Sequence, residues 1–177
     1  AATVGHQLVE HASFDELKAV RGAGHAEIPQ GAIDFDAYCA EGGYQTLKAI
    51  LDGTHSREEI LGIMDKAALR GLGGAGFPTG RKWRIVGDQA GPRLMAVNGD
   101  EGEPGTFKDR LYLSGDPHRM IEGILIAAHV VGVDACYIYM RDEYPEIIAL
   151  LRREIALVEA AGLADHVQLH LRRGAGA

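Results

Sequence analysis

Between residues 93 and 171 the chain alternates short apolar runs with longer segments of helical spacing, and no other feature restricts the fold as sharply. Leu94-Met95-Ala96-Val97 has the length of a strand. Asp116 then caps a helix whose first position is Pro117, where no N–H is needed. Met120, Ile121, Ile124, Leu125, Ala128 and Val131 form its apolar stripe, and Gly132 ends it. Cys136-Tyr137-Ile138-Tyr139-Met140 reads as the second strand. Pro145 opens a second helix, with Ile147, Ile148, Leu151, Ile155 and Val158 inward and Gly162 at its end. Val167, Leu169 and Leu171 alternate with Gln168 and His170, which reads as a third strand. This β–α–β–α–β order predicts an α/β fold with parallel strands and right-handed crossovers. Ligands of such sheets bind beyond the carboxyl ends of the strands, which points to residues 98–110.

Upstream the pattern is weaker. Residues 44–52 are faintly helical and stop at Gly53. Ser56-Arg57-Glu58-Glu59 matches a capping box, and Ile60, Leu61, Ile63, Met64, Ala67 and Ala68 predict a helix running to about Arg70. Residues 1–43 read as an irregular or helical leader, with a short helix over 14–20 capped by Ser13. Gly22, Gly24, Pro29, Gly31, Gly42 and Gly43 read there as loop. The division is therefore a leader over 1–43 and one domain over 44–177, since 177 residues suit a single core. The chain begins without Met and breaks off in a glycine-rich run, so both ends read as cut. Its first residues lack the charge and apolar run of a signal peptide. No stretch approaches the ~18–20 apolar residues of a membrane span.

Charge excludes one class of partner. The chain has 18 Lys and Arg against 25 Asp and Glu, a net charge of −7, which argues against nucleic acid. Cys39 and Cys136 are too few to hold an iron–sulfur cluster or a four-thiolate zinc site alone, and two cysteines suit a reduced cytoplasmic protein. His166 and His170 sit in a strand pattern, where that spacing covers roughly 13 Å, too far for one metal ion. His118 and His129 lie on one helix without a partner motif, and no metal site is expected among them.

The first stretch with chemical character is Gly71-Leu72-Gly73-Gly74-Ala75-Gly76-Phe77-Pro78-Thr79-Gly80-Arg81-Lys82-Trp83. Five glycines in ten residues permit positive φ and bring backbone N–H groups close to a ligand. With Arg81 and Lys82 beside them, a phosphate-bearing guest fits. Gly71, Gly73 and Gly76 spell G-x-G-x-x-G, but a capped helix precedes them, so the dinucleotide fingerprint fails on context. The alternative is a glycine linker, against which Phe77, Pro78 and Trp83 count.

The second stretch is Val97-Asn98-Gly99-Asp100-Glu101-Gly102-Glu103-Pro104-Gly105-Thr106-Phe107-Lys108-Asp109-Arg110, with four carboxylates in a glycine-rich loop. Three readings stand: a hard-metal site, acceptors for a polyol or heterocycle, or a solvated acidic turn.

Together, and in this order, the two stretches resemble the NADH-binding flavoprotein subunit of respiratory complex I. That family includes the diaphorase subunits of NAD-reducing hydrogenases and the beta subunit of soluble NAD-dependent formate dehydrogenases. The resemblance covers residues 44–177. Ala128-His129-Val130-Val131-Gly132 and Tyr137-Ile138-Tyr139-Met140-Arg141-Asp142-Glu143-Tyr144-Pro145 resemble the formate dehydrogenase branch more than complex I. The resemblance implies the N-terminal part of a Rossmann-like FMN-binding domain. It implies hydride transfer between NAD(H) and FMN, and single-electron exchange with iron–sulfur clusters. Gly71, Gly73, Gly74, Lys82, Asn98, Asp100 and Glu101 would hold FMN, while Phe77 and Glu103 would meet the nicotinamide nucleotide. All are binding roles, because hydride transfer needs no acid or base from the protein.

The resemblance also implies partners: a thioredoxin-like [2Fe–2S] subunit or domain, and a molybdenum-containing formate dehydrogenase catalytic subunit or its hydrogenase or complex I counterpart. A [4Fe–4S] cluster is expected in chain beyond Ala177. Two departures matter. Leu72 stands where many members have Arg, so one charged contact near the nucleotide is either missing or supplied by Arg81. The family's continuation past Gly174-Ala175-Gly176-Ala177 completes the pocket, so these 177 residues alone are expected to show weak or no activity. Two other classes stay open: a Mg²⁺-dependent phosphate- or sugar-processing enzyme using the acidic loop, and a scaffold subunit whose site has decayed.

Overall fold

The computed structural model describes residues 2–4, 7–9, 28–72 and 74–174. Within them β1 (Ala2–Val4) and β2 (Gln7–Val9) pair antiparallel. Four helices follow: α1 (Phe35–Ala40), α2 (Gln45–Leu51), α3 (Arg57–Lys66) and α4 (Thr79–Gly87). The chain then runs β3 (Leu94–Gly99), α5 (Lys108–Gly115), α6 (Pro117–Val131), β4 (Ala135–Met140), α7 (Pro145–Ala160) and β5 (Gln168–Arg173). The leader helix expected over 14–20 and Gly73 lie outside the described residues.

The strands β3, β4 and β5 form a parallel sheet in that order. Val97 pairs with Ile138 and Ile138 with Leu171, so the three strands end level at Gly99, Met140 and Arg173. The result is the α/β, Rossmann-like βαβαβ unit that the alternation predicts.

Both crossover helices lie on one face of the sheet. Cys136, Ile138 and Met140 of β4 share a core with Ile121, Ile124, Leu125 and Ala128 of α6 and Ile147, Ile148, Leu151, Ile155 and Val158 of α7. Met95, Val97, Leu169 and Leu171 close it from the outer strands. Each fully buried aliphatic chain adds about 1.5–3 kcal/mol. A second cluster, Ile50, Ile60, Leu61 and Val130, fixes α2 and α3 to α6, and Trp83 of α4 touches both clusters.

Helix ends follow local chemistry. Ser56 Oγ accepts from the Glu59 amide, and Glu59 Oε2 accepts from the Ser56 amide at 2.8 Å, the reciprocal pair of a capping box. Asp116 accepts from the Arg119 amide, Pro117 takes the first position, and Gly132 closes α6 in the left-handed conformation at φ 72°. The α3 helix stops at Lys66, short of Arg70, because Ala68 turns to φ 51° ahead of the glycine loop.

Three helices depart from the pattern. The α1 helix forms at the end of the segment read as leader, with Asp34 capping the Ala37 amide at 2.9 Å and Tyr38 buried in the core. The α4 helix takes up the second half of the glycine stretch. Gly80 is there for packing: a Cβ on it would sit 2.4 Å from Asp65 Oδ1 and 3.3 Å from Met64 Cβ of α3. The α5 helix takes its cap from a distant residue, described below.

Candidate functional site

Strand β3 delivers the acidic loop to the carboxyl end of the sheet. Asn98 Oδ1 accepts from the Asp100 amide at 3.0 Å, bending the chain sharply as it leaves the strand. The Gly102 amide bonds the Asp100 carbonyl, and Thr106 bonds Glu103 across Gly105, whose φ is 80°. Gly99 permits the strand end to lie tight: a Cβ on it would meet Met140 Sδ at 2.5 Å and the Tyr139 carbonyl at 3.1 Å.

Glu101 turns inward. Its side chain is 1% exposed. One oxygen accepts from the Asp109 amide at 2.9 Å; the other accepts from the Arg110 amide at 3.2 Å and from the Tyr144 hydroxyl at 3.1 Å. Arg141 donates to the Glu101 carbonyl and holds Glu143 at 2.9 Å. Burial by itself pushes the Glu101 carboxyl up. The two amides, the Tyr144 hydroxyl and the Lys108 ammonium outweigh it and hold the group below the ordinary glutamate value. The same burial, with Glu101 as neighbour, pushes the Tyr144 phenol up.

The glycine stretch forms a closed loop on the amino end of α4. Arg70 and Pro78 make an isolated antiparallel bridge, with Thr79 N–H on the Leu69 carbonyl at 2.9 Å and Gly71 N–H on the Phe77 carbonyl at 3.0 Å. Arg70 reaches the Gly76 carbonyl at 3.0 Å. Gly74 and Gly76 sit at φ 99° and 59°, conformations that favour glycine. No side chain caps α4, and Lys82 lies in its first turns. Phe77 is 42% exposed, with the Arg81 guanidinium 5.7 Å from its ring centre. Phe77, Lys82, Ile85 and Val86 line a cavity of about 260 Å³. A larger groove, about 510 Å³, runs along α3 past His55, Glu59, Ile63 and Lys66 and shares no lining residue with either cluster.

The sequence-predicted residues thus fall into two groups. Asn98, Asp100, Glu101 and Glu103 stand on the loop after β3; Gly71, Gly74, Phe77 and Lys82 stand around the amino end of α4. Among the described residues no hydrogen bond or ion pair joins the groups. Asn98, Asp100 and Glu103 face outward to differing degrees, whereas the Glu101 oxygens are taken up by the chain itself. Arg141 and Tyr144 do not stand out in the sequence as site residues. The parallel register carries the signal that finds them: Gly99 pairs with Met140, so the residues after Met140 must meet the loop after Gly99.

Chemically, the glycine loop, the amino end of α4 and the Arg81 and Lys82 cations offer what a phosphate needs. The strand-end loop offers Asn98 and Asp100 as polar partners for hydroxyl and N–H groups. Among the described residues no three His, Cys, Asp or Glu gather as a metal cage.

Comparison with known proteins shows the family. The family described as Nuo51 FMN-binding domain matches residues 64–177. An NADH-quinone oxidoreductase subunit of Aquifex aeolicus is 44% identical over 150 residues, covering 80% of this chain and 35% of that protein. The corresponding NADH-quinone oxidoreductase subunit of Rhizobium meliloti is 41% identical over 164 residues, covering 86% and 38%. The crystal structure of an NAD⁺-reducing [NiFe]-hydrogenase in the air-oxidized state superposes with a TM-score of 0.63 at 41% identity, over 70% of this chain and 21% of that one. The chain therefore spans 35–38% of the length of the Aquifex and Rhizobium relatives.

Proposed function

The chain belongs to the family of Nuo51 FMN-binding domains, and from that premise we propose that it is the flavin-bearing part of an electron-transfer subunit that exchanges hydride between NAD(H) and FMN. The observation that carries this reading is that one chain presents both an outward polar loop at the carboxyl end of β3 and a glycine loop with cations at the amino end of α4. FMN presents a phosphate, a polyol and a heterocycle. The residues fit that set: N–H groups and Lys82 for the phosphate, Asn98 and Asp100 for hydroxyl and ring donors. A hydrolase using Mg²⁺ would need several carboxylates gathered to ligate, but Glu101 is buried in hydrogen bonds, Asp109 is held by Lys108 at 2.8 Å, and among the described residues Asp100 and Glu103 gather no third His, Cys, Asp or Glu into a metal cage.

The chemistry that FMN would supply when bound is two-electron acceptance from NADH and one-electron release. The chain's own residues bind and orient. Gly71 and Gly74 let the backbone come close to the phosphate, and Lys82 neutralises it; Gly73, outside the described residues, belongs to the same proposed FMN-binding set. Asn98 and Asp100 fix the cofactor against the strand ends, with Glu101 on the same loop. Exposed Phe77 offers an aromatic face to the nicotinamide nucleotide, and Glu103 a carboxylate. No acid or base is required of them.

The finer part of the proposal is the assignment to the beta subunit of an NAD-dependent formate dehydrogenase, which rests on residues 128–132 and 137–145. On this reading the protein works in the cytoplasm. Its partners are a thioredoxin-like [2Fe–2S] subunit or domain and a molybdenum-containing catalytic subunit, and a [4Fe–4S] cluster lies in further chain. No helix among the described residues is long and apolar enough to cross a membrane. Anaerobic addition of NADH to the purified full-length protein tests the reading: the visible flavin absorbance should bleach. Retention of full colour, or a formate-independent complex on co-purification, would remove the general or the finer part respectively.

A further inference from the structure

The geometry points to Glu101 as a positioning residue that never touches the cofactor and instead presents its neighbours to it. The inference rests on the flavin reading above. Phe107, at the cap position of α5, offers no side-chain acceptor to the first-turn amides. Glu101 supplies one from six residues upstream of that cap, taking the Asp109 and Arg110 amides at 2.9 and 3.2 Å. An anionic acceptor at a helix amino end gains from the oriented peptide dipoles as well as from the hydrogen bonds. The same carboxylate takes the Tyr144 hydroxyl from the loop after β4, and the Glu101 carbonyl takes the Arg141 guanidinium.

Glu101 therefore ties together the end of β3, the start of α5 and the loop after β4. Asn98 and Asp100 precede it and Glu103 follows it, all on the closed stretch it anchors. At 1% exposure its oxygens face the chain and its outward neighbours do the binding. Pinning a loop in its bound shape lowers the ordering cost of each ligand that the loop meets. One clamp thus serves flavin affinity and nicotinamide affinity together.

The test compares Glu101→Gln, Tyr144→Phe and the double variant in the full-length flavoprotein. Three quantities are measured: the FMN dissociation constant of the apoprotein, KM for NADH, and the thermal midpoint. Glu101→Gln puts an NH₂ against an N–H or hydroxyl donor and should weaken FMN binding about tenfold and raise KM severalfold. Tyr144→Phe removes one donor to the clamp at nearly constant volume and should weaken FMN binding in the same direction by a smaller factor. The double variant should bind little worse than Glu101→Gln alone, because both changes open one clamp. A silent Tyr144→Phe would mean that Glu101 acts by direct contact. Lowered thermal midpoints with unchanged FMN affinity and KM would mean that the clamp serves stability alone; either result overturns the inference. If Glu101→Gln does not fold, Tyr144→Phe decides the matter by itself. A wild-type protein without FMN affinity would overturn the flavin reading as well, whereas wild-type affinity in both variants would overturn this inference only.

Discussion

Glu154 Oε2 lies 2.9 Å from His118 Nε2, and neither side chain is exposed to solvent. His118 Nδ1 meets the Tyr44 hydroxyl at 2.7 Å, and Glu154 also accepts the Phe35 amide at 3.2 Å and the Arg153 Nε at 2.6 Å. Around this chain of contacts Phe35 and Tyr44 meet the His118 ring edge-on and Tyr38 stacks on it. Tyr38 and the Tyr44 amide both bond Glu122. These bonds fasten α1 and the start of α2 to α6 and α7.

Removing one partner leaves the others buried without a mate, and that penalty exceeds the net value of the bond. Glu154→Ala should therefore destabilise the protein by about 3–5 kcal/mol, the range for breaking a buried pair. Urea unfolding measures it. A loss under about 1 kcal/mol, as for an exposed pair, would contradict the packing described.

Gly99 lies where β3 passes closest to Met140 and the Tyr139 carbonyl. Adding a methyl group at such a contact costs about 1–3 kcal/mol through overpacking, and here the strain falls between Asn98 and Asp100. Gly99→Ala should lower stability by that amount and weaken flavin retention more than Gly102→Ala, whose added Cβ would meet nothing within 4 Å. Paired unfolding and flavin-content measurements on the two variants check the order.

The Glu101 carboxyl is held below its ordinary value of 4.5, so the folded state favours its ionised form. A depressed folded value contributes stability above the unfolded value, and the contribution is lost as pH falls through the folded one. The stability gap between wild type and Glu101→Gln should be flat at neutral pH and close on acidification below about 4.5. A gap that stayed constant down through that range would mean that the carboxylate charge contributes nothing to the clamp.

Much of this was legible in the sequence because it is local. Asp116-Pro117 and Gly132 carry the start and end of α6 within a few residues, and Ser56 with Glu59 carries the start of α3. The alternation of apolar runs carries the parallel sheet. What stayed hidden depends on residues distant in sequence. The α5 helix has no cap of its own, and Glu101 becomes one only after the loop folds back. Gly80 looks like part of a phosphate loop, yet it is small because α3 crosses there. His118 reads as a lone helix histidine until Tyr44, at the cap of α2, and Glu154, in α7, converge on it. The candidate site residues stand out in the sequence as two motif stretches, but the inward turn of Glu101 among outward neighbours does not.

If these loops hold FMN, a native mass spectrum of the full-length protein carrying this sequence will show it. One FMN per chain is expected, lost together with the visible colour when Lys82 and Asp100 are both replaced by Ala. A full-length chain that carries no FMN as isolated, and takes up none when FMN is supplied in excess, would contradict it.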